Sequence, residues 1–297
     1  LQRVGRVAVP GNLSVVSGEP WGYRNRAQFH IQDGKLGYRA RGSHQLVPID
    51  QCPISSPRIN TCIAALNRMM RDPRWPKFIA AIEVFTNEEQ VQLNVLESGQ
   101  SVAKRFFEWA AEEIPGLVPG ALEYSGFRVS PNSFFQVNRF LVERMVQLTM
   151  VGAEGREALD LYSGAGLFSV PLAERFASVT AVESGSGAVR DLEFNAARAG
   201  IRVHAVGAQV DEYLRTAEIL PDFVLADPPR TGLGKTVVAK LVEWKPERLT
   251  LVSCDPSTLA RDLATLLAGG YAIQEFTLID LFPQTFHIET ICRLHLR

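Results

Sequence analysis

The sequence predicts an α/β protein: a Rossmann-like C-terminal domain, with helices on both faces of a parallel sheet, preceded by a smaller α+β domain. Three observations carry this. From residue 126 onward, short apolar runs alternate with segments of helical spacing, the βα alternation that builds parallel sheets. Between residues 21 and 98 the runs are shorter and β-rich, with one helical stretch among them. A glycine turn, Ser163-Gly164-Ala165-Gly166, follows directly on the first strand of the second half, where such sheets bind ligands. With 297 residues the chain has room for two domains of ordinary size, and the boundary is placed at residues 125/126.

In the first domain, RAQFHI and LGYRA read as strands around Asp33-Gly34-Lys35, an Asp-Gly hairpin signal. LVPI, IAAIEVFT and VQLNVLE read as further strands. Ser56 to Met70 reads as a helix from the spacing of Ile59, Ile63, Leu66 and Met70, with Pro57 near its start, where a helix tolerates it. In the second domain a helix is expected over residues 138–150. The strands EALDLYS, SVTAVES, RVHAVG, DFVLADPP, LTLVSCDP and AIQEFTLIDLF follow, with helices over 167–175, 187–199, 235–243 and 258–269. The last segment, ETICRLHLR, reads as an antiparallel strand at the sheet edge.

Apolar residues make up 46% and charged residues 21% of the chain, a globular composition that excludes disordered and fibrous classes. No apolar run approaches the roughly 18 residues that cross a bilayer, and no signal-peptide pattern opens the chain. A cytoplasmic monomer with no membrane partner is expected. Four irregularly spaced cysteines argue against a disulfide framework. The net charge of −1 conceals a division: residues 1–77 carry 12 Lys+Arg against 4 Asp+Glu, and the remainder 19 against 28. That asymmetry points to a polyanionic partner. Arg24, Arg26, Lys35, Arg39 and Arg41 recur with Tyr23, Phe29 and Tyr38. Such bases meet phosphates, while the aromatics either stack on splayed nucleobases or fill the core.

A G-x-G turn is weak evidence alone, and the third glycine of a dinucleotide fingerprint is replaced by Ser169. The next strand ends at Glu183, where a carboxylate can accept from both ribose hydroxyls of an adenosine. This suits S-adenosylmethionine as well as a dinucleotide, and a plain surface carboxylate is the alternative.

Three strand-end loops at the same sheet edge carry unusual residues: Ala226-Asp227-Pro228-Pro229-Arg230, Ser253-Cys254-Asp255-Pro256, and Phe282 to Glu289. Two prolines stiffen the backbone after Asp227, because each fixes φ and donates nothing. Cys254 leaves an apolar strand. An inert thiol is the common fate of such a cysteine, but a nucleophilic one has a use here. Carbon 5 of uracil is a poor nucleophile until a thiolate adds at carbon 6. After methylation the carbon 5 hydrogen must leave as a proton, which requires a general base, and Glu289 is the candidate.

These segments, together with GYRNRAQFHI, SPNSFFQVN, LDLYSGAG, LADPPRTGL, VSCDPSTLARDL and DLFPQTFHIET, resemble the RNA 5-methyluridine methyltransferases, nearly end to end. The bacterial 23S rRNA members are the most similar. The resemblance implies an S-adenosylmethionine-dependent methyltransferase domain after a central RNA-binding domain. Cys254 would be the nucleophile and Glu289 the base. Gln136, Tyr162, Gly164, Glu183 and Asp227 would hold S-adenosyl-L-methionine, and Arg230, Arg24 and Arg26 the RNA. Leu167 stands where family members often have Asn, and Gln209 where Asp or Asn is expected. Ribosomal members also carry a β-barrel and a [4Fe-4S] cluster bound by four cysteines. Cys52 falls on the fourth position and its three partners are absent from this chain. A cluster is therefore expected only in a longer form of the protein. The substrate is expected to be rRNA, with tRNA as the alternative. A methyltransferase for exocyclic amines would need no cysteine and would favour Asn-Pro-Pro. An RNA-binding or chaperoning protein that has lost catalysis would not need Cys254, Glu289 and Asp227 intact.

Overall fold

The computed structural model of the chain describes residues 1–8, 11 and 13–297. It opens with a short helix, α1 (Gln2–Gly5), and a strand, β1 (Ser14–Ser17). Two units follow from the contacts: residues 1–18, 133–135 and 140–297 form the larger, and residues 19–132 and 136–139 the smaller.

The smaller unit is built on an antiparallel sheet of β2 (Arg26–Gln32), β3 (Lys35–Arg39), β4 (Leu46–Pro48), β5 (Ile79–Thr86) and β6 (Val91–Ser98), in the order β4-β3-β2-β5-β6. Asp33 and Gly34 make the β2–β3 turn with φ of 52° and 68°, the left-handed pair that two-residue hairpins require. Helix α2 (Pro57–Met69) starts as its sequence predicts, with Pro57 in the first turn and the Ser56 side chain accepting from the Ile59 amide. It buries Ile59, Cys62, Ile63, Leu66 and Met69 in a core with Ala27, Phe29, Ile82 and Val84. Helix α3 (Lys104–Glu113) adds Phe106 and Trp109, and the hairpin β7 (Leu122–Tyr124) and β8 (Phe127–Val129) completes the unit. Tyr23 and Phe29 are fully buried, and the Phe29 and Tyr38 rings meet at 5.5 Å. These aromatics fill the core.

On the opposite face of β2 and β5 lies a polar cluster. Arg26 donates to Glu83 at 2.6 Å, and Gln28 and Asn94 donate to the same carboxylate at 2.9 and 3.2 Å. Burial alone would raise the Glu83 pKa, but the Arg26 pair and the two amides outweigh it and hold it below the ordinary value. The side chains of Arg26 and Glu83 are 8% and 4% exposed. Arg26→Ala should therefore cost about 3–5 kcal/mol, because it strands a buried carboxylate. A paired Arg26→Met, Glu83→Leu change should cost far less; denaturant unfolding of both variants checks this. A carboxylate held below its unfolded pKa contributes stability above the ordinary glutamate range. That contribution is lost as pH falls through the folded pKa.

The larger unit has helix α4 (Val142–Thr149), then β9 (Gly155–Leu161), α5 (Ser169–Ala173), β10 (Phe176–Glu183), α6 (Ser186–Arg198), β11 (His204–Gly207), α7 (Val210–Thr216), β12 (Phe223–Ala226), α8 (Gly234–Trp244), β13 (Arg248–Ser253), α9 (Pro256–Ala268), β14 (Tyr271–Asp280) and β15 (Glu289–Leu296). The sheet runs β1-β14-β15-β13-β12-β9-β10-β11, parallel except at β15. The predicted α/β class and its smaller companion are both present. Two expectations change. The last strand is antiparallel as predicted but lies between β13 and β14. Ile291, Cys292 and Leu294 are all buried, an apolar run suited to an inner strand and wasteful at an edge. The edge belongs to β1, whose Ser14–Ser17 pair with Thr277–Asp280; by contacts residues 1–18 group with the larger unit, and residues 126–132 and 136–139 with the smaller. Helix α4 also begins four residues later than residue 138. Among the described residues, no helix is long and apolar enough to cross a membrane.

Candidate active site

Sheet order decides what meets at the carboxyl edge. β9, β10, β12 and β13 are parallel neighbours, so Tyr162, Glu183, Asp227 and Cys254, each at or just beyond a strand end, emerge on one side. Ala226 pairs with both Leu161 and Leu251, which brings the Asp227 loop out between the other two. Because β15 runs the other way, its first residue, Glu289, starts at that same edge. The last paired positions there are Ser253 opposite Thr290, so Cys254 and Glu289 each stand one residue beyond that pair, near enough for the Glu289 charge to act on the thiol.

The glycine turn forms one corner. Gly164 has φ 54°, and an added Cβ would meet nothing nearer than the Phe134 carbonyl oxygen at 4.0 Å. Its amide donates to Glu183 Oε2 at 3.0 Å, and the Gly185 amide donates to Oε1 at 2.6 Å. Glu183 is thereby aimed over the turn, with lone pairs left for further donors. Open space beside a glycine and a fixed acceptor fit an adenosine ribose. Tyr162 holds φ 63° without being glycine, a costly conformation that cores rarely adopt and binding sites often do. Burial, with the charges of Asp211 and Asp262, pushes its hydroxyl up to about 12. Helix α6 braces this corner: Asn195 donates to the Ala165 carbonyl at 2.9 Å, and Asp191 accepts from Ser133 at 2.8 Å.

Asp160, which the sequence leaves without a role, is fully buried behind the turn. Ser169 donates to its Oδ2 at 2.5 Å. Burial pushes its pKa up to about 7; the Ser169 bond opposes that, and the charges of Asp227 and Glu183 add to it.

At the other corner Gly232, φ 75°, follows Pro229 in a turn closed by a 2.8 Å bond from its amide to the Pro229 carbonyl. A side chain there would meet Asp262 Oδ2 at 2.5 Å and Thr258 at 2.9 Å, so the Asp-Pro-Pro-Arg loop depends on glycine. Asp262 also accepts from the Leu233 amide at 2.8 Å. Asp255 caps α9 by accepting from the Ser257 and Thr258 amides at 2.8 and 2.9 Å. The Ser257 and Thr258 amides of the first turn are thus taken by Asp255.

Cys254 is half-buried, and its pKa is raised by burial first, then by Glu289 and Asp227, against Arg230. Glu289 is 4% exposed and raised well above the ordinary value by burial, then by Asp227, again against Arg230. Burial raises Asp227 as well. Two buried carboxylates this close do not both ionise readily. Arg230 is the cation that lowers both Cys254 and Glu289. Its Nη2 also lies 3.3 Å from both ring nitrogens of His287. Arg230→Gln should move the rising limb of the single-turnover pH–rate profile to higher pH, since the deprotonations of Cys254 and Glu289 both lose a neighbouring positive charge. An unchanged profile would remove Arg230 from this electrostatic role.

The other residues singled out in the sequence are placed as follows. Gln136 is buried among the residues of the smaller unit. Arg24 is half-buried, its Nε donating to the Arg26 carbonyl at 2.7 Å. Arg26, expected to hold RNA, is instead turned inward: its guanidinium is buried on Glu83 and lies over the Phe85 ring at 5.2 Å. Leu167 is buried in the turn, and exposed Gln209 precedes α7 without a side-chain capping bond. Cys52 is buried; its amide donates to Asn60 Oδ1 at 2.7 Å, and its thiol lies against the Tyr38 hydroxyl. Cys62 and Cys292 are buried in separate cores. No group of three or more metal-binding side chains exists among the described residues, so the cysteines present do not fit a four-thiolate cluster.

Comparison with known proteins gives the family. The family model described as tRNA (uracil-5-)-methyltransferase matches residues 118–297. An uncharacterized RNA methyltransferase of Aquifex aeolicus is 30% identical over 100% of this chain and 76% of its own length. A 23S rRNA (uracil(1939)-C(5))-methyltransferase of Halomonas elongata is 31% identical over 97% of this chain and 68% of its own. The crystal structure of Pyrococcus abyssi tRNA (uracil-54, C5)-methyltransferase with S-adenosyl-L-homocysteine superposes with a TM-score of 0.77 at 24% identity, covering 99% of this chain and 80% of that one. The last likeness establishes the shared fold. Together with the matched relatives, the family match over the catalytic half places the chain among the S-adenosylmethionine-dependent RNA (uracil-5-)-methyltransferases, in the tRNA (uracil-5-)-methyltransferase family.

Proposed function

We propose that the chain methylates carbon 5 of a specific uridine in RNA, 23S rRNA first, through a temporary bond between Cys254 and carbon 6 of uracil. The observation that carries this is the convergence of a half-buried thiol, a buried carboxylate and a cation: Cys254, Glu289 and Arg230. S-adenosylmethionine, when bound, supplies an electrophilic methyl group. Tyr162, Gly164, Glu183 and Asp227 are the residues that hold it, and the family resemblance adds Gln136. Asp227 and Arg230 orient the uracil. The Cys254 thiolate adds to carbon 6, which makes carbon 5 nucleophilic toward the methyl group. Glu289 takes the proton from carbon 5, and the carbon–sulfur bond then breaks to restore the pyrimidine. A raised Glu289 pKa suits that step, since a base with too low a pKa holds the proton weakly.

Relatives named as 23S rRNA methyltransferases support the ribosomal substrate, while the tRNA family name keeps transfer RNA as the second reading. Mass mapping of 5-methyluridine in ribosomal and transfer RNA, from cells with and without the gene, decides between them. RNA is held chiefly by the basic surface of residues 1–77, Arg24 included. RNA affinity should therefore fall steeply with salt, by about 0.7 to 0.9 log units per log unit of salt for each phosphate neutralised. A flat response between low and moderate salt, measured by filter binding, would remove the basic half as the RNA platform.

A further inference from the structure

We propose that Phe286 and His287, backed by Arg230, form a stacking platform for the nucleobase beside the target uridine, and so select a purine there. This rests on the chain being an RNA uridine methyltransferase. The loop of residues 281–288 joins β14 to β15 at the carboxyl edge, and Phe286 lies three residues before Glu289. Phe286 is 74% exposed, where a phenylalanine with no surface role would be expected inside.

The ring is nevertheless held in place. It lies 4.2 Å from the His287 ring at 39°, and Phe282 meets His287 edge-on at 5.8 Å and 68°. Arg230 Nη2, equidistant from both His287 nitrogens, adds a cation to the assembly. Thr285 fixes the turn, donating to the Phe282 carbonyl at 2.7 Å and accepting from the His287 amide at 3.2 Å. A fixed, exposed aromatic set against a second ring that itself meets a cation is the kind of surface on which bases stack.

The reaction supplies the base. Carbon 5 chemistry requires the uridine to leave its stack, and each neighbour then loses a stacked face. A ring three residues from the catalytic base can replace that face. A purine, with the larger π surface, gains more from it than a pyrimidine.

The test uses hairpin RNA from the mapped site, with 5-fluorouridine at the target to retain the Cys254 adduct. 2-Aminopurine replaces the base on each side in turn. In the wild-type adduct, 2-aminopurine on one side should remain quenched. Phe286→Ala should brighten it several-fold, raise KM for the purine-flanked hairpin about tenfold, and abolish the purine preference with kcat little changed; Phe286→Trp should restore all three. S-adenosylmethionine binding by calorimetry verifies that each variant is folded. Wild-type fluorescence, KM and purine preference in Phe286→Ala would overturn the platform. Failure of the wild-type protein to form any adduct would instead overturn the underlying reading, and the platform with it.

Discussion

Glu289→Gln should form the bond between enzyme and RNA and then fail to release it. The amide is isosteric with the carboxyl group but cannot take the proton from carbon 5, so the methylated adduct has no exit. Turnover should drop by about 10²–10⁴-fold, while a protein–RNA species stable to denaturing electrophoresis accumulates. Addition itself should become easier, because Glu289 is one of the two carboxylates that raise the Cys254 pKa. Equal loss of turnover and of adduct would mean that Glu289 acts before the carbon–sulfur bond forms, and the assigned order of steps would be wrong.

Cys254→Ala should remove methylation altogether, by a factor on the order of 10⁴ or more, while S-adenosylmethionine binding remains intact. The two functions separate because the cofactor corner is built from different strands. Gly164 and Glu183 follow β9 and β10, whereas Cys254 follows β13 with β12 between. Removing one half-buried sulfur should alter stability by no more than about 1 kcal/mol. Calorimetric titration of S-adenosylmethionine, alongside tritium transfer to RNA, checks both parts, and residual turnover near the wild-type rate would refute covalent catalysis.

What the sequence made legible follows from how local each signal is. Alternating βα units, the glycine turn and strand-end Glu183, Asp227 and Cys254 are written in consecutive residues, and parallel pairing brings them to one edge without further information. Strand β1 has only four residues, largely exposed, and leaves no periodicity to read; its partner lies over 260 residues away. The position of β15 depends on the same neighbour: β14 is covered on its far side by β1, so the last strand lies inside the sheet. Arg26 illustrates the limit of charge patterning, since nothing near it announces Glu83, 57 residues on. Asp160 stands in the sequence as one more strand-end carboxylate, with no local signal to set it apart. Its burial and its bond to Ser169 are visible only in three dimensions. His287 belongs to a loop motif in the sequence, and its contact with Arg230 joins residues 57 apart.

The central claim, a temporary bond from Cys254 to carbon 6 of a uridine, is tested most directly by mass spectrometry of the protein after reaction with S-adenosylmethionine and 5-fluorouridine-substituted RNA. Fluorine cannot leave as a proton, so the adduct should persist after nuclease and protease digestion. A methylated fluorouridine nucleotide on the peptide that contains Cys254 is the predicted result. Methylated RNA with no adduct, or an adduct on any other peptide, would contradict it.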